Sequence, residues 1–89
     1  MVRYDDPVEV RTGTGQEGPA QFLWRGRLWK VREVLDRRSQ ELPRRELWRV
    51  AAGRGRLDQE GRAADVFELA HDLRAGRWQL LAVGSGVGE

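Results

Sequence analysis

The chain has no cysteine, one histidine (His71), one lysine (Lys30) and no long apolar run. Each absence removes a class of chemistry. Without cysteine there are no disulfides, zinc–thiolate sites or thiol nucleophiles. With a single histidine, a metal site or an acid–base pair lacks the partners it normally needs. No stretch approaches the ~18 consecutive apolar residues of a membrane-spanning helix. The N-terminal Met1-Val2-Arg3-Tyr4-Asp5-Asp6-Pro7 lacks the apolar centre of a secretory signal. A soluble, cytoplasmic protein with no membrane partner is the expectation.

The remaining polar residues form no catalytic pattern. Asp5, Asp6, Asp36, Asp58, Asp65 and Asp72 do not have the spacing of a calcium loop. Ser39 and Ser85 lie in polar segments without a nucleophile elbow. Gly13-Thr14-Gly15 and Gly53-Arg54-Gly55 lack the lysine and the strand-to-helix setting of a phosphate loop. The chain is expected not to be an enzyme and to need no cofactor. His71 is expected to be a structural or rim histidine.

Charge says less than the isoelectric point of 9.9 suggests. Sixteen basic residues face 14 acidic ones, a net charge of +2. The high value arises because nearly all the bases are arginine, which keeps its proton at any accessible pH. Scarce lysine beside abundant Arg, Ala and Gly is also what a high-GC coding sequence produces. Only a local basic patch can argue for nucleic acid.

What the chain does have is tryptophan, four residues in 89. Phe22-Leu23-Trp24-Arg25-Gly26-Arg27-Leu28-Trp29 reads as two strands folded back across an Arg25-Gly26 or a Gly26-Arg27 turn. Under either turn, period-two alternation puts Phe22, Trp24, Trp29 and Val31 on one face. That face resembles the wall of a small core. The other carries Gln21, Leu23, Arg25, Leu28, Lys30 and Arg32, basic around an apolar centre.

Upstream, Pro7-Val8-Glu9-Val10-Arg11 reads as a short first strand, at a sheet edge because proline donates no ladder bond. Downstream, Val34 falls on the opposite parity from Trp29 and Val31. A bulge near Arg32-Glu33 would turn it inward, although a helical spacing through Val31, Val34, Leu35, Arg38 and Leu42 competes. Arg37 to Arg45 is charge-dense and reads as a mobile connection. Leu47-Trp48-Arg49-Val50-Ala51 alternates, with Trp48 and Val50 inward. Residues 52–62 read as a flexible loop. The segment 63–73 fits both periods: Ala63, Val66, Phe67, Ala70 and Leu73 as a helical stripe, or Phe67, Leu69, His71 and Leu73 as a strand. The strand is favoured by the convincing strand Trp78 to Val83 that follows. An Ala75-Gly76 loop would set Leu73 opposite Trp78 and His71 opposite Leu80, and would gather Phe67, Leu69, Trp78, Leu80 and Ala82 on a second aromatic face.

The sum is an all-β protein: a small, antiparallel, six-stranded, strongly bent sheet or partly open barrel. One domain is expected over residues 1–83, with a flexible tail at 84–89. A chain of this length buries about 60–65% of its unfolded surface, enough for one modest core. The four tryptophans would meet inside.

Two binding surfaces are candidates. Leu23, Arg25, Leu28, Lys30 and Arg32 form a basic–apolar patch suited to a protein partner. The alternative is direct binding of single-stranded nucleic acid through the same face together with the loop arginines Arg37, Arg38, Arg44 and Arg45.

The order of the motifs also resembles a known family. Arg3 to Val10, Pro19 to Trp29, Val31-Arg32-Glu33-Val34-Leu35, Glu46 to Val50, Phe67-Glu68-Leu69 and Gly76 to Leu81 are similar to a family of small high-GC Gram-positive proteins, a domain of unknown function. Similar Trp-rich segments occur at the C-terminal end of Y-family polymerase-like mutasome proteins of error-prone translesion DNA synthesis. The resemblance implies an accessory or adaptor role around lesion bypass or DNA repair, with a polymerase-type complex as partner. It carries no catalytic residues to transfer. The chain departs from the family in its short central Arg-rich loop and in its Gly-Ser-Gly-Val-Gly-Glu ending.

Overall fold

The Arg25-Gly26 pair is the turn that organises the barrel. Its two residues have φ of 54° and 74°, the positive pair that a tight hairpin needs to match strand twist. Gly26 adopts such a φ without strain, whereas Arg25 does so against its own Cβ. The turn sets Trp24 opposite Arg27, Leu23 opposite Leu28 and Phe22 opposite Trp29, so the first of the two turn alternatives is the correct one. Alternation then sorts the faces as expected. Phe22 is buried and Trp24, Trp29 and Val31 pack against the core, while Leu23, Leu28, Lys30 and Arg32 are exposed.

The computed structural model describes residues 2–13, 18–42, 44–53 and 65–84. It contains six strands: β1 (Val2–Thr12), β2 (Pro19–Trp24), β3 (Arg27–Gln40), β4 (Arg45–Gly53), β5 (Asp65–Asp72) and β6 (Arg77–Gly84). Each pairs antiparallel with the next, and β6 returns to β1, so the barrel closes. The described residues form no helix, hence none long and apolar enough to cross a membrane. Gly84 belongs to β6, one residue past the expected domain boundary. Most of the loop expected at 52–62 and residues 85–89 of the expected tail lie outside the described residues, whereas Ala52 and Gly53 belong to β4.

Closure corrects the placement of β1, which is not an edge. Its first part, Val2 to Val8, pairs with β6, and Glu9 to Thr12 pair with β2. Pro7 sits opposite Gln79, before the β2 ladder begins, so the missing N–H leaves no gap between two neighbours. β3 makes a similar handover at Lys30, which faces Gln21 of β2 and Gly53 of β4. Its register shifts between Val31 and Glu33, the expected bulge, and again between Val34 and Asp36. The first bulge sets Val34 opposite the buried Val50, yet Val34 stays 40% exposed. Among the described residues, β3 beyond Lys30 has a ladder neighbour on one side alone.

The expected connection from Arg37 to Arg45 is mostly strand. β3 runs to Gln40, and only Glu41 to Arg44 separate it from β4. The charges that suggested a loop are cross-strand partners instead. An Arg37 Nη2–H donates to Glu46 Oε2 at 2.8 Å, and Arg45 Nε–H donates to Gln40 Oε1 at 2.6 Å.

β5 is a strand, not a helix, and its hairpin to β6 is wider than expected. Leu73 to Gly76 form a four-residue turn, so His71 faces Trp78 and Asp72 faces Arg77. The expected two-residue loop fails because Asp72 organises a longer one. Its Oδ1 accepts from the Arg74 N–H (2.9 Å) and the Ala75 N–H (3.2 Å), and its carbonyl accepts from the Gly76 N–H at 2.8 Å. The N–H groups of Ala75 and Arg74 hold the Asp72 carboxyl below its ordinary range, with Arg74 and Arg77 adding charge attraction. A depressed carboxylate stabilises the folded state above its unfolded pKa and loses that contribution as pH falls through the folded value. Asp72→Ala is therefore expected to be less stable than the wild type at neutral pH. The gap should narrow below the usual carboxylate pKa of about 4. Urea titrations at neutral and acid pH check this; a gap independent of pH would exclude the carboxylate as its source.

The core comprises Phe22, Trp48, Val50, Ala52, Phe67, Leu69 and Leu80, with Ala70 and Ala82 also buried. Phe67 lies at its aromatic centre, 5.0 Å from Phe22, 4.8 Å from Trp29 and 6.0 Å from Trp24, centroid to centroid. All four tryptophans belong to the core or pack against it. Trp24 and Trp29 meet at 6.4 Å, whereas Trp78 stacks on His71 at 4.2 Å and 2° between planes. His71 is thus half-buried and stacked against an indole.

Candidate partner-binding face

The outer face of β1–β2–β3 is built by register. Glu9, Leu23 and Leu28 form one row across the three strands, and Arg11, Gln21 and Lys30 form the next. Alternation aims these side chains away from the core. Leu23 and Leu28 are 42% and 46% exposed, a directly opposed apolar pair left in water. Beside them runs a groove of about 230 Å³, lined by Glu9, Arg11, Gln21, Phe22, Leu23 and Leu28. Arg11 and Lys30 have no ion-pair partner among the described residues. The result is an apolar ridge with a concave flank and uncommitted positive charge.

Of the five residues expected here, Leu23, Leu28 and Lys30 come together, and Arg32 is exposed at the neighbouring bulge. Arg25 does not join them. Its place at the turn corner lets the guanidinium fold back over the barrel mouth, with Cζ 4.7 Å from the Tyr4 ring centroid and 4.8 Å from that of Trp24. Glu9 and Arg11 are the members that sequence reasoning missed. Alternation along β1 did place them outward, but nothing in the chain announced which strand would lie beside them.

The arginines expected to meet nucleic acid are dispersed. Arg37 lies over the Trp48 ring at 4.7 Å while bonded to Glu46. Arg38 is on the opposite parity, 3.3 Å from Asp36. Arg45 is bonded to Gln40, and only Arg44 projects from the turn. On the outer face of β4 and β5, Arg49 is paired with Glu68 at 2.8 Å. This ion pair borders a small pocket of about 30 Å³.

Residues 1–84 match the family DUF6504, a domain of unknown function. The chain belongs to that family. The match spans every strand of the barrel, so the closed six-stranded meander and its β1–β2–β3 face lie within the DUF6504 domain. No curated protein and no solved structure matches the chain.

Proposed function

We propose that this protein is a non-enzymatic adaptor that docks on a protein partner through the outer face of β1–β2–β3. The exposed Leu23–Leu28 pair beside the groove, with Arg11 and Lys30 near it and without an ion-pair partner among the described residues, carries the proposal. Burying an apolar anchor drives association, and unpaired cations select for acidic groups around it. The partner surface is therefore an apolar side chain flanked by carboxylates. A side-chain face suits docking here better than a strand edge. The stretches of β1 before Glu9 and of β3 after Lys30, each with one ladder neighbour among the described residues, carry Pro7, bulges and charged residues, the features by which proteins discourage edge pairing.

The cellular setting, an accessory role in translesion DNA synthesis or DNA repair, rests on the resemblance to the C-terminal segments of mutasome proteins. The partner class is then a polymerase-type accessory complex in the cytoplasm.

The test is binding of the purified protein to such a complex with Leu28→Asp combined with Lys30→Glu. Both positions are exposed, so stability should change by no more than about 0.5 kcal/mol for Lys30→Glu and by about 1 kcal/mol for Leu28→Asp, which gives up its cross-strand contact with Leu23. Affinity should fall at least about tenfold, since a buried anchor is worth more than 1.4 kcal/mol. Unchanged affinity would exclude this face. Titration with short single-stranded DNA is the companion measurement. A log–log salt slope of about −0.7 per phosphate contacted would assign the function to nucleic acid instead.

A further inference from the structure

The mouth of the barrel under the β2–β3 turn holds a constellation that the docking face does not use. Alternation along β1 aims Tyr4 and Asp6 toward the interior, where both are half-buried. Trp24 meets them from β2, with its ring edge-on to Tyr4 at 5.2 Å. Asp6 Oδ2 accepts the Trp24 Nε1–H at 2.9 Å, which fixes the indole and keeps the carboxylate beside both rings. Two aromatic faces and a carboxylate at one point make a receptor for a cation: the ring quadrupoles attract it and the carboxylate neutralises it.

The cation present is the chain's own. The Arg25 guanidinium lies within 4.8 Å of both ring centroids, and its Nε is 3.6 Å from Asp6 Oδ2. Two observations mark this occupancy as exchangeable. The Arg25 side chain keeps 59% of its surface in water, so little of its hydration is lost by being there. The Nε–Asp6 separation is too long for a hydrogen bond.

We propose that Tyr4, Asp6 and Trp24 form a seat for the guanidinium of an arginine on a partner protein, and that Arg25 fills it in the free protein. The seat is separate from the Leu23–Leu28 face and stands whether or not that face docks a partner. A partner arginine that displaces Arg25 swings this side chain out of the mouth and exposes its charge beside Leu23. The resident side chain thus acts as an intramolecular competitor, and it sets the threshold for entry.

Arg25→Gly empties the seat while suiting the turn, since glycine takes the positive φ without strain. The probe is N-acetyl-arginine methylamide, followed through the assigned Trp24 indole N–H resonance of the full chain. The empty-seat variant should titrate saturably. The wild type should need about tenfold more probe, the factor for a seat left vacant one-tenth of the time. N-acetyl-citrulline methylamide, of the same shape without the charge, should leave the resonance unmoved. Asp6→Asn in the Arg25→Gly background should abolish saturation. Arg25→Asn, which also tolerates the turn conformation, must reproduce the Arg25→Gly result. The proposal is overturned by any of three results: no saturation in either variant, an equal response to citrulline, or equal affinity in the wild type.

Discussion

Phe67→Ala is expected to destabilise the protein by about 3–5 kcal/mol, the range for removing a fully buried phenylalanine. Phe67 has no exposed surface and touches the rings of Phe22, Trp24 and Trp29. Each such aromatic pair adds about 0.5–1.5 kcal/mol beyond area burial, so the upper part of the range applies. The cavity cannot collapse easily. β5 is laddered to β4 on one side and to β6 on the other along most of its length, and a closed barrel has no free strand to slide inward. Domains of this kind have total stabilities on the order of 5–15 kcal/mol. The variant should therefore lose roughly a quarter or more of its stability, and its melting temperature should fall by more than about 12 °C. Urea unfolding followed by tryptophan fluorescence measures it. A loss below about 1 kcal/mol would mean that the aromatic centre does not hold the barrel together.

Gly18→Ala is the second large effect. Gly18 has φ of 86°, and a Cβ there would lie 2.4 Å from Cζ3 and 2.6 Å from Cη2 of Trp48. The ring cannot withdraw, because Trp48 is only 5% exposed and the Arg37 guanidinium lies over it at 4.7 Å. The backbone contributes about 1–2 kcal/mol and overpacking about 1–3 kcal/mol, which together give roughly 2–5 kcal/mol. Gly26→Ala separates the two contributions. A Cβ at Gly26 meets nothing within 4 Å, although φ is 74°, so only the backbone cost of about 1–2 kcal/mol remains. A double-mutant cycle with Trp48→Phe completes the test. The smaller ring relieves the clash, so Gly18→Ala should cost less in that background than alone. Strict additivity would show that the steric contact is absent.

Alternation alone made the β2–β3 face legible. Leu23, Leu28 and Lys30 are outward neighbours because a two-residue turn admits one register, and a register sorts every side chain to one face or the other. The same logic failed for Arg25, because a turn residue at positive φ leaves the pleat and its side chain is free to fold over either face. Arg37 and Arg38 were misplaced for a different reason. A run of charges resembles a solvated loop until its partners are known, and Glu46, Trp48 and Asp36 are named only by the pairing of β3 with β4. The β5–β6 turn shows the same limit on a smaller scale. A glycine suggested the shortest loop, but the carboxylate of Asp72 captured two N–H groups and widened it.

The sequence by itself determined the strand class, most of the inward aromatic set and the absence of cysteine chemistry, because these follow from composition and period-two patterning within single segments. It also determined the family, through motifs in fixed order along residues 1–84. The tertiary structure decided that β1 closes against β6, that Glu9 and Arg11 border the Leu23–Leu28 ridge, and that Tyr4, Asp6 and Trp24 converge on Arg25. Each of these brings together segments far apart in the chain, Leu23 with Glu9 for instance. Such contacts depend on which strands become neighbours when the sheet closes, and period-two alternation, which chooses only a face, carries no information about that choice.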